Sequence, residues 1–366
     1  MDEQPLLAVS IGCPSGIGPE VSLVAASRLR GARVILVGDL AVLHRAARAT
    51  KVDPARLVRV EAAAEARALR ANAIAVLQPS LPLSSMDARP GSPSPRGGAA
   101  QLLWVDVASD LTVRGETSAL VTAPVSKEAI ARSGSREAAR FLGHTEHLQR
   151  RLGADEVVMA FACPAFTTAL VTTHLALSRV PRAVTPAAVA TTTFWLADFL
   201  SRLGAGGSRP SGRARIAVTS LNPHAGEGGL LGREESLAIL PGIALARSRA
   251  RRAGLLCEIS GPVPAETAFR VAARGGYDGV AAMYHDQATI PMKLLGFGEA
   301  VNVSLGLPIV RTSVDHGTAY DIAGSGVADA RGMTEALAMA LRLTGDAGTR
   351  TPRSPPRRGR SRARSS

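Results

Sequence analysis

The chain has 366 residues, 46% of them hydrophobic and 20% charged, which supplies a large core, excludes disorder throughout and predicts two domains or two lobes sharing a sheet. Aromatic residues make up only 3%, so the core is built from small aliphatic side chains, as in helix-covered parallel sheets, and stacking platforms for nucleic-acid bases are scarce. Nearly half of the net charge of +13 is confined to residues 346–366, where seven arginines face one aspartate; this Arg-, Ser- and Pro-rich segment reads as a disordered tail with at most a weak, salt-sensitive hold on polyanions.

The start, MDEQPLLAVSIG, lacks a basic region followed by a long apolar run. No later stretch approaches the roughly 18 apolar residues of a membrane span, so no membrane association is expected and the chain reads as cytoplasmic. Residues 6–12 read as a buried strand, 19–30 as a helix with Pro19 in its first turn, and 32–39 as the next strand, together a βαβ unit. A helical 41–49, an alanine-rich 61–73 and a strand at 74–80 continue the alternation, which predicts parallel sheets in an α/β fold. Residues 81–98 and 204–213, rich in Pro, Gly and Ser, read as surface loops, the first leading into a helix at 99–111. Residues 116–130 read as strand, loop and helix. The stretches VVMAFACP, FTTALVTTHL, RIAVTSLNPH and GVAAMYHDQ read as strands whose carboxyl ends carry polar residues. Cys13, Cys163 and Cys257 are odd in number and far apart, which fits a reducing compartment.

Open α/β sheets bind ligands at the carboxyl ends of their strands, so these polar ends converge on one crevice. His174, His224 and His285 each follow an apolar strand by a few residues. Three neutral imidazoles around an open position suit zinc, cobalt or nickel better than magnesium; unrelated loop histidines bonded to backbone are the alternative that spacing leaves open. In GHTEHL, His144 and Thr145 precede a helix reaching Leu152 and can donate to a carboxylate or hydroxyl, although a Thr145 N-cap fits the same letters. Lys293, Asn302 and Arg311 recur at equal intervals in apolar, Gly- and Pro-rich sequence, as successive strands and turns would carry them, and such groups build a phosphate or carboxylate pocket. GCPSGIGPE at 12–20 reads as a tight turn, lacking the Walker lysine and the dinucleotide fingerprint. Asp321, in HGTAYDIAGSG, can accept hydrogen bonds from an adenosine ribose and would repel a 2′-phosphate, favouring NAD over NADP.

Taken in order, GCPSGIGPE, TAPVSKEAI, GHTEHL, THLALSRV, LNPHAGEGGLLGREE, GPVPAETAF, YDGVAAMYHDQATIPMK and HGTAYDIAGSG resemble the 4-hydroxythreonine-4-phosphate dehydrogenase family of pyridoxal phosphate biosynthesis. The match runs over about residues 6–343 and leaves the basic tail outside. The resemblance implies a two-lobed α/β/α architecture similar to isocitrate and isopropylmalate dehydrogenases, with the active site in the interlobe cleft at a homodimer interface. The lobes are expected at 1–130 plus 306–345 and at 131–305.

The resemblance also implies that His174, His224 and His285 hold one divalent metal per site (zinc, cobalt or magnesium), with His285 coming from the partner subunit. His144, Thr145, Lys293, Asn302 and Arg311 would contact substrate, with Asp286 and Lys293 as candidate bases. The cofactor would be NAD, with NADP possible. The implied reaction oxidises 4-hydroxythreonine 4-phosphate to a β-keto acid, which loses carbon dioxide to give 3-amino-2-oxopropyl phosphate. Two departures stand out: Cys13 where the family usually has an acidic residue, and Ala288 where a glycine usually follows HDQ. The rival reading is a paralogous dehydrogenase of erythronate or threonate 4-phosphate; a more remote one is a polyanion-binding protein acting through its tail.

Overall fold

The computed structural model describes residues 4–207, 211–296 and 298–345. The tail at 346–366 lies outside them. Twelve strands form one sheet: β1 Leu6–Ser10, β2 Arg33–Val37, β3 Leu57–Val60, β4 Ile74–Leu77, β5 Ala119–Thr122, β6 Val158–Ala162, β7 Thr167–Leu170, β8 Ala214–Thr219, β9 Cys257–Val263, β10 Gly279–Ala282, β11 Val301–Leu305 and β12 Arg311–Val314. Their order is β3-β4-β2-β1-β5-β12-β11-β6-β7-β10-β8-β9. Strands from 1–130 and 306–345 therefore make up one half and strands from 131–305 the other, joined where β12 pairs with β11.

Buried on both faces, β1, β5, β6, β7 and β10 have no exposed residue, which is why they read as uninterrupted apolar runs. The edge strands β3 and β9 have mixed burial and no such signature, and neither stood out in the sequence. The expectation of parallel sheets needs one correction: β6 runs antiparallel to both β7 and β11, and β11 antiparallel to β12. Chain length dictates two of these pairings, β6 with β7 and β11 with β12. Only Cys163–Phe166 joins β6 to β7, closed by Cys163 N donating to Phe166 O at 3.1 Å, and 306–310 joins β11 to β12 through Gly306 at φ +87°. Parallel pairing needs a crossover of a dozen or more residues.

The alanine-rich 61–73 is helical only over Ala63–Ala68. The loop read over 81–98 ends earlier than expected, because helix Pro95–Val113 starts with Ser94 as its cap, accepting from Gly97 N at 2.9 Å. Gly98 sits inside that helix for a steric reason: a Cβ there would overlap the Ala129 carbonyl of helix Lys127–Ala131. Close approach of these two helices, together with Gln101 Oε1 accepting from Ser126 N at 2.7 Å, aims the start of the second helix at the carboxyl edge of β5. Among the described residues no single helix is long and apolar enough to cross a membrane.

Gly98→Val forces these helices apart. The expected loss of stability is about 2 kcal/mol or more, measured as a shift of the urea midpoint at unchanged slope.

Candidate active site

A cavity of about 300 Å³ opens at the centre of the sheet, lined by Lys127, His144, Thr145, Glu146, His174, His285, Asn302, Arg311, Asp315 and His316, among others. Its floor is Arg311 on β12. This residue is 3% exposed, and its guanidinium donates only to neutral oxygens: Nη1 to Asn302 Oδ1 at 3.1 Å and Ser304 Oγ at 2.9 Å, Nη2 to Thr122 Oγ1 at 2.7 Å. Nε has no partner among the described residues. Burial pushes the group down to about 9, against the opposing field of Glu146, so it stays charged at neutral pH. A buried cation bonded only to neutral acceptors lacks a carboxylate in contact with it, and an anion in the cavity would supply that contact.

His144 opens helix His144–Leu152, capped by Gly143 rather than by Thr145. Thr145 lies in the first turn instead, its Oγ1 3.2 Å from Ser304 Oγ, which links it to the Arg311 network. Burial first, then the charge on Arg311, holds the His144 imidazole well below its usual pKa, and its Nε2 is buried without a partner among the described residues. Behind it, Phe141 packs edge-on against His144, and His147 Nε2 lies 2.6 Å from Asp106 Oδ1.

Two of the three strand-end histidines come together within one chain. His174 follows β7 and His285 follows β10, its parallel neighbour, and their ring centroids are 5.6 Å apart. Thr172 Oγ1, donating to Met283 O at 2.7 Å, and Gln287, whose Nε2 donates to Ser220 O at 2.9 Å while Oε1 accepts from Met283 N at 2.6 Å, tie these strand ends in place. Burial lowers the His174 pKa, which keeps the imidazole neutral. His285 Nδ1 donates to Asp286 Oδ1 at 2.7 Å, leaving Nε2 free, the arrangement by which a carboxylate orients a metal-binding imidazole. Both residues fit a divalent cation. Among the described residues, however, no group of three metal-ligating side chains exists in one chain.

His224 is the absent third. It follows β8, next in the sheet after β10, yet it is exposed and does not line the cavity. Within this chain His285 stands beside His174, and His224 is the one turned outward. From His224 to Gly228 all five residues have positive φ, three of them not glycine. Such a run costs energy. It is anchored at its base by buried Glu235, whose Oε1 accepts from Leu221 N at 2.9 Å and Asn222 N at 2.8 Å.

Asp286, with a side chain 70% exposed, lies outside the cavity lining, as do Lys293 and Asp321. Lys293 reaches the cavity only through Asp315, its Nζ 3.9 Å from Asp315 Oδ2. Sequence reasoning passed over Lys127, Glu146 and Asp315. Lys127 and Asp315 had a signal, since each directly follows a strand's carboxyl end or its helix cap; Glu146 had none.

A pocket floored by a buried guanidinium at the centre of a mixed sheet and rimmed by paired imidazoles suits an α/β enzyme that takes a small anion. The model of the pyridoxal phosphate biosynthetic protein PdxA matches residues 30–340, and the chain belongs to that family. It is 41% identical, over 93% of its length and 96% of the relative's, to 4-hydroxythreonine-4-phosphate dehydrogenase of Desulfosudis oleivorans. It is 36% identical to D-threonate 4-phosphate dehydrogenase of Salmonella typhimurium, covering 93% and 99% of the two chains. The crystal structure of 4-hydroxythreonine-4-phosphate dehydrogenase from Klebsiella pneumoniae superposes with a TM-score of 0.77 at 34% identity, covering 93% of this chain and 99% of that one.

A buried imidazole with a depressed pKa makes stability depend on pH in a defined direction. The unfolded chain binds a proton at His144 near the ordinary value of about 6.5, the folded chain only well below it, so stability is full above that value and falls as the solution is acidified past it. Thermal melts between pH 7 and 5 should show a shallower acid loss in His144→Asn than in the parent chain; equal slopes would sink the assignment.

Proposed function

We propose that the chain is an NAD-dependent dehydrogenase of 4-hydroxythreonine 4-phosphate, acting in the cytoplasm in pyridoxal phosphate biosynthesis. The product, 2-amino-3-oxo-4-phosphooxybutanoate, then loses carbon dioxide to give 3-amino-2-oxopropyl phosphate. The observation that carries this reading is Arg311, a buried cation bonded only to neutral oxygens and facing the cavity that His174 and His285 rim.

Arg311 with Asn302 and Thr145 binds the phosphate, and neutral His144 donates or accepts at an uncharged substrate oxygen. His174 and His285, with His224 from a second subunit, would hold the divalent cation. When bound, that cation would polarise the substrate hydroxyl, and NAD would take the hydride. The hydroxyl proton goes to the Asp315 carboxylate, and Lys293 beside it carries the proton to solvent. Asp286 is a positioning residue, fixing the tautomer of His285. Asp321 accepts from the adenosine ribose and selects NAD over NADP.

The surface around the histidines supports a homodimer with shared sites. Leu175 and Leu177 after His174, Leu230 and Leu237 after His224, and Ile290 and Leu294 after His285 are all exposed, Leu230 to 83%. Apolar side chains gathered on the three histidine-bearing segments favour burial against a second copy. The lobes at 1–130 with 306–345 and at 131–305 meet at the β11–β12 pair, beside which the substrate sits.

The test is NADH formation by the purified protein with phosphorylated 4-hydroxythreonine, and with D-threonate and D-erythronate 4-phosphates in parallel. His285→Ala should lose bound metal and at least about 100-fold in turnover; an active, metal-replete variant refutes the site. Arg311→Ala should retain metal and raise KM at least about tenfold. Turnover confined to D-threonate 4-phosphate would favour the second reading, which the Salmonella typhimurium relative supports. Removal of residues 346–366 should leave NAD reduction intact.

A further inference from the structure

The glycine-rich turn at 12–20 has no role in the reaction derived above, and its polar groups are not open to a ligand. Two of them, Ile17 N and the Glu20 carboxylate, are committed to a segment some 300 residues away in sequence. Ile17 N donates to Thr318 O at 3.0 Å, and a Cβ on Gly16 would overlap that same carbonyl. In the first turn of helix Gly18–Arg28, Glu20 is 4% exposed. Its Oε1 accepts from Gly324 N at 2.5 Å and its Oε2 from Gly326 N at 3.0 Å. Arg45, pinned by Nη2 donating to Pro14 O at 2.8 Å, adds a neighbouring positive charge that offsets the buried carboxylate.

The two glycines answer this grip. Gly324 has φ +84° and Gly326 φ +73°; a Cβ on the first would crowd Pro90 and one on the second would overlap the Ala49 carbonyl. Two left-handed glycines separated by Ser325 turn their amides inward on one carboxylate, an arrangement that captures an anion. Here the anion is the protein's own carboxylate. Asp321 lies three residues before the first of these amides, on the exposed part of the same turn.

We propose that Glu20 is a positioning residue for the dinucleotide: its carboxylate fixes the 318–326 loop and thereby holds Asp321 where it meets the ribose. The inference rests on reading the chain as NAD-dependent with Asp321 at the ribose. Both oxygens are needed. Glu20→Gln keeps one acceptor and sets an amide donor against the other backbone N–H, so it weakens the grip, and Glu20→Ala removes it.

NADH affinity is measured by fluorescence titration of the parent chain and both variants, which does not depend on turnover, alongside kcat and KM and the exchange rates of the 322–326 amides. In Glu20→Ala the NADH Kd and the KM for NAD should rise by about tenfold or more, the cost of losing hydrogen bonds to a charged acceptor. Exchange at 324 and 326 should quicken, while KM for the phosphorylated acid and kcat at saturating NAD hold within about threefold, below the tenfold that a 1.4 kcal/mol effect produces. Glu20→Gln should fall between, and it carries the test if the alanine variant does not fold. Faster exchange with unchanged NADH affinity overturns the proposal, as does unchanged exchange. Should the parent chain bind NADH yet oxidise none of the phosphorylated acids, the proposed reaction fails while the titration still decides Glu20; no NADH binding by the parent chain overturns both.

Discussion

A guanidinium bonded only to neutral oxygens in the middle of a sheet is the constraint around which the rest of this structure is arranged. Arg311 is held by Thr122 from β5 and by Asn302 and Ser304 from β11, so the strands on either side of β12 all contribute an oxygen. Each bond to a neutral oxygen offsets part of the cost of burying the charge, and none cancels it. An anion brought into the pocket would offset that residual cost. The same cost also explains why His144 is neutral: a second positive charge beside Arg311 in a buried setting is disfavoured twice, by desolvation and by repulsion.

The antiparallel hairpins at the centre serve this arrangement. Joining β11 to β12 by five residues sets Asn302 opposite Ser313 and keeps Arg311 within reach of both neighbouring strands. The outer strands follow the ordinary rule of parallel sheets, in which residues just beyond the carboxyl ends meet in space. The three strands that carry the histidines are neighbours in the order β7-β10-β8. Two of the histidines meet in the crevice, and the third leaves it on a loop whose left-handed backbone is over-determined by Glu235.

Much of this was legible in the letters. Apolar runs followed by a histidine marked the ends of β7 and β10, and six of the ten residues singled out line or floor one cavity: His144, Thr145, His174, His285, Asn302 and Arg311. Strand direction was not legible, because an apolar run such as VVMAFA has no polarity; only the short link to β7 reveals it. Nor could spacing tell which histidine faces away, since that depends on the backbone twist from His224 to Gly228. The turn at 12–20 was read as a tight turn and is one, but its partner lies at the other end of the chain, beyond the reach of any local pattern.

The position of β12 between β5 and β11 carries a consequence for biogenesis. While the polypeptide emerges from the ribosome, β1 to β5 have all been made but the flank of β5 remains bare until residue 314 appears. An unpaired, largely apolar edge invites adventitious strand addition. The amino-terminal half therefore has to wait, sheltered or only loosely assembled, for a strand translated almost last, and premature termination anywhere before that strand leaves a sticky fragment rather than an autonomous domain.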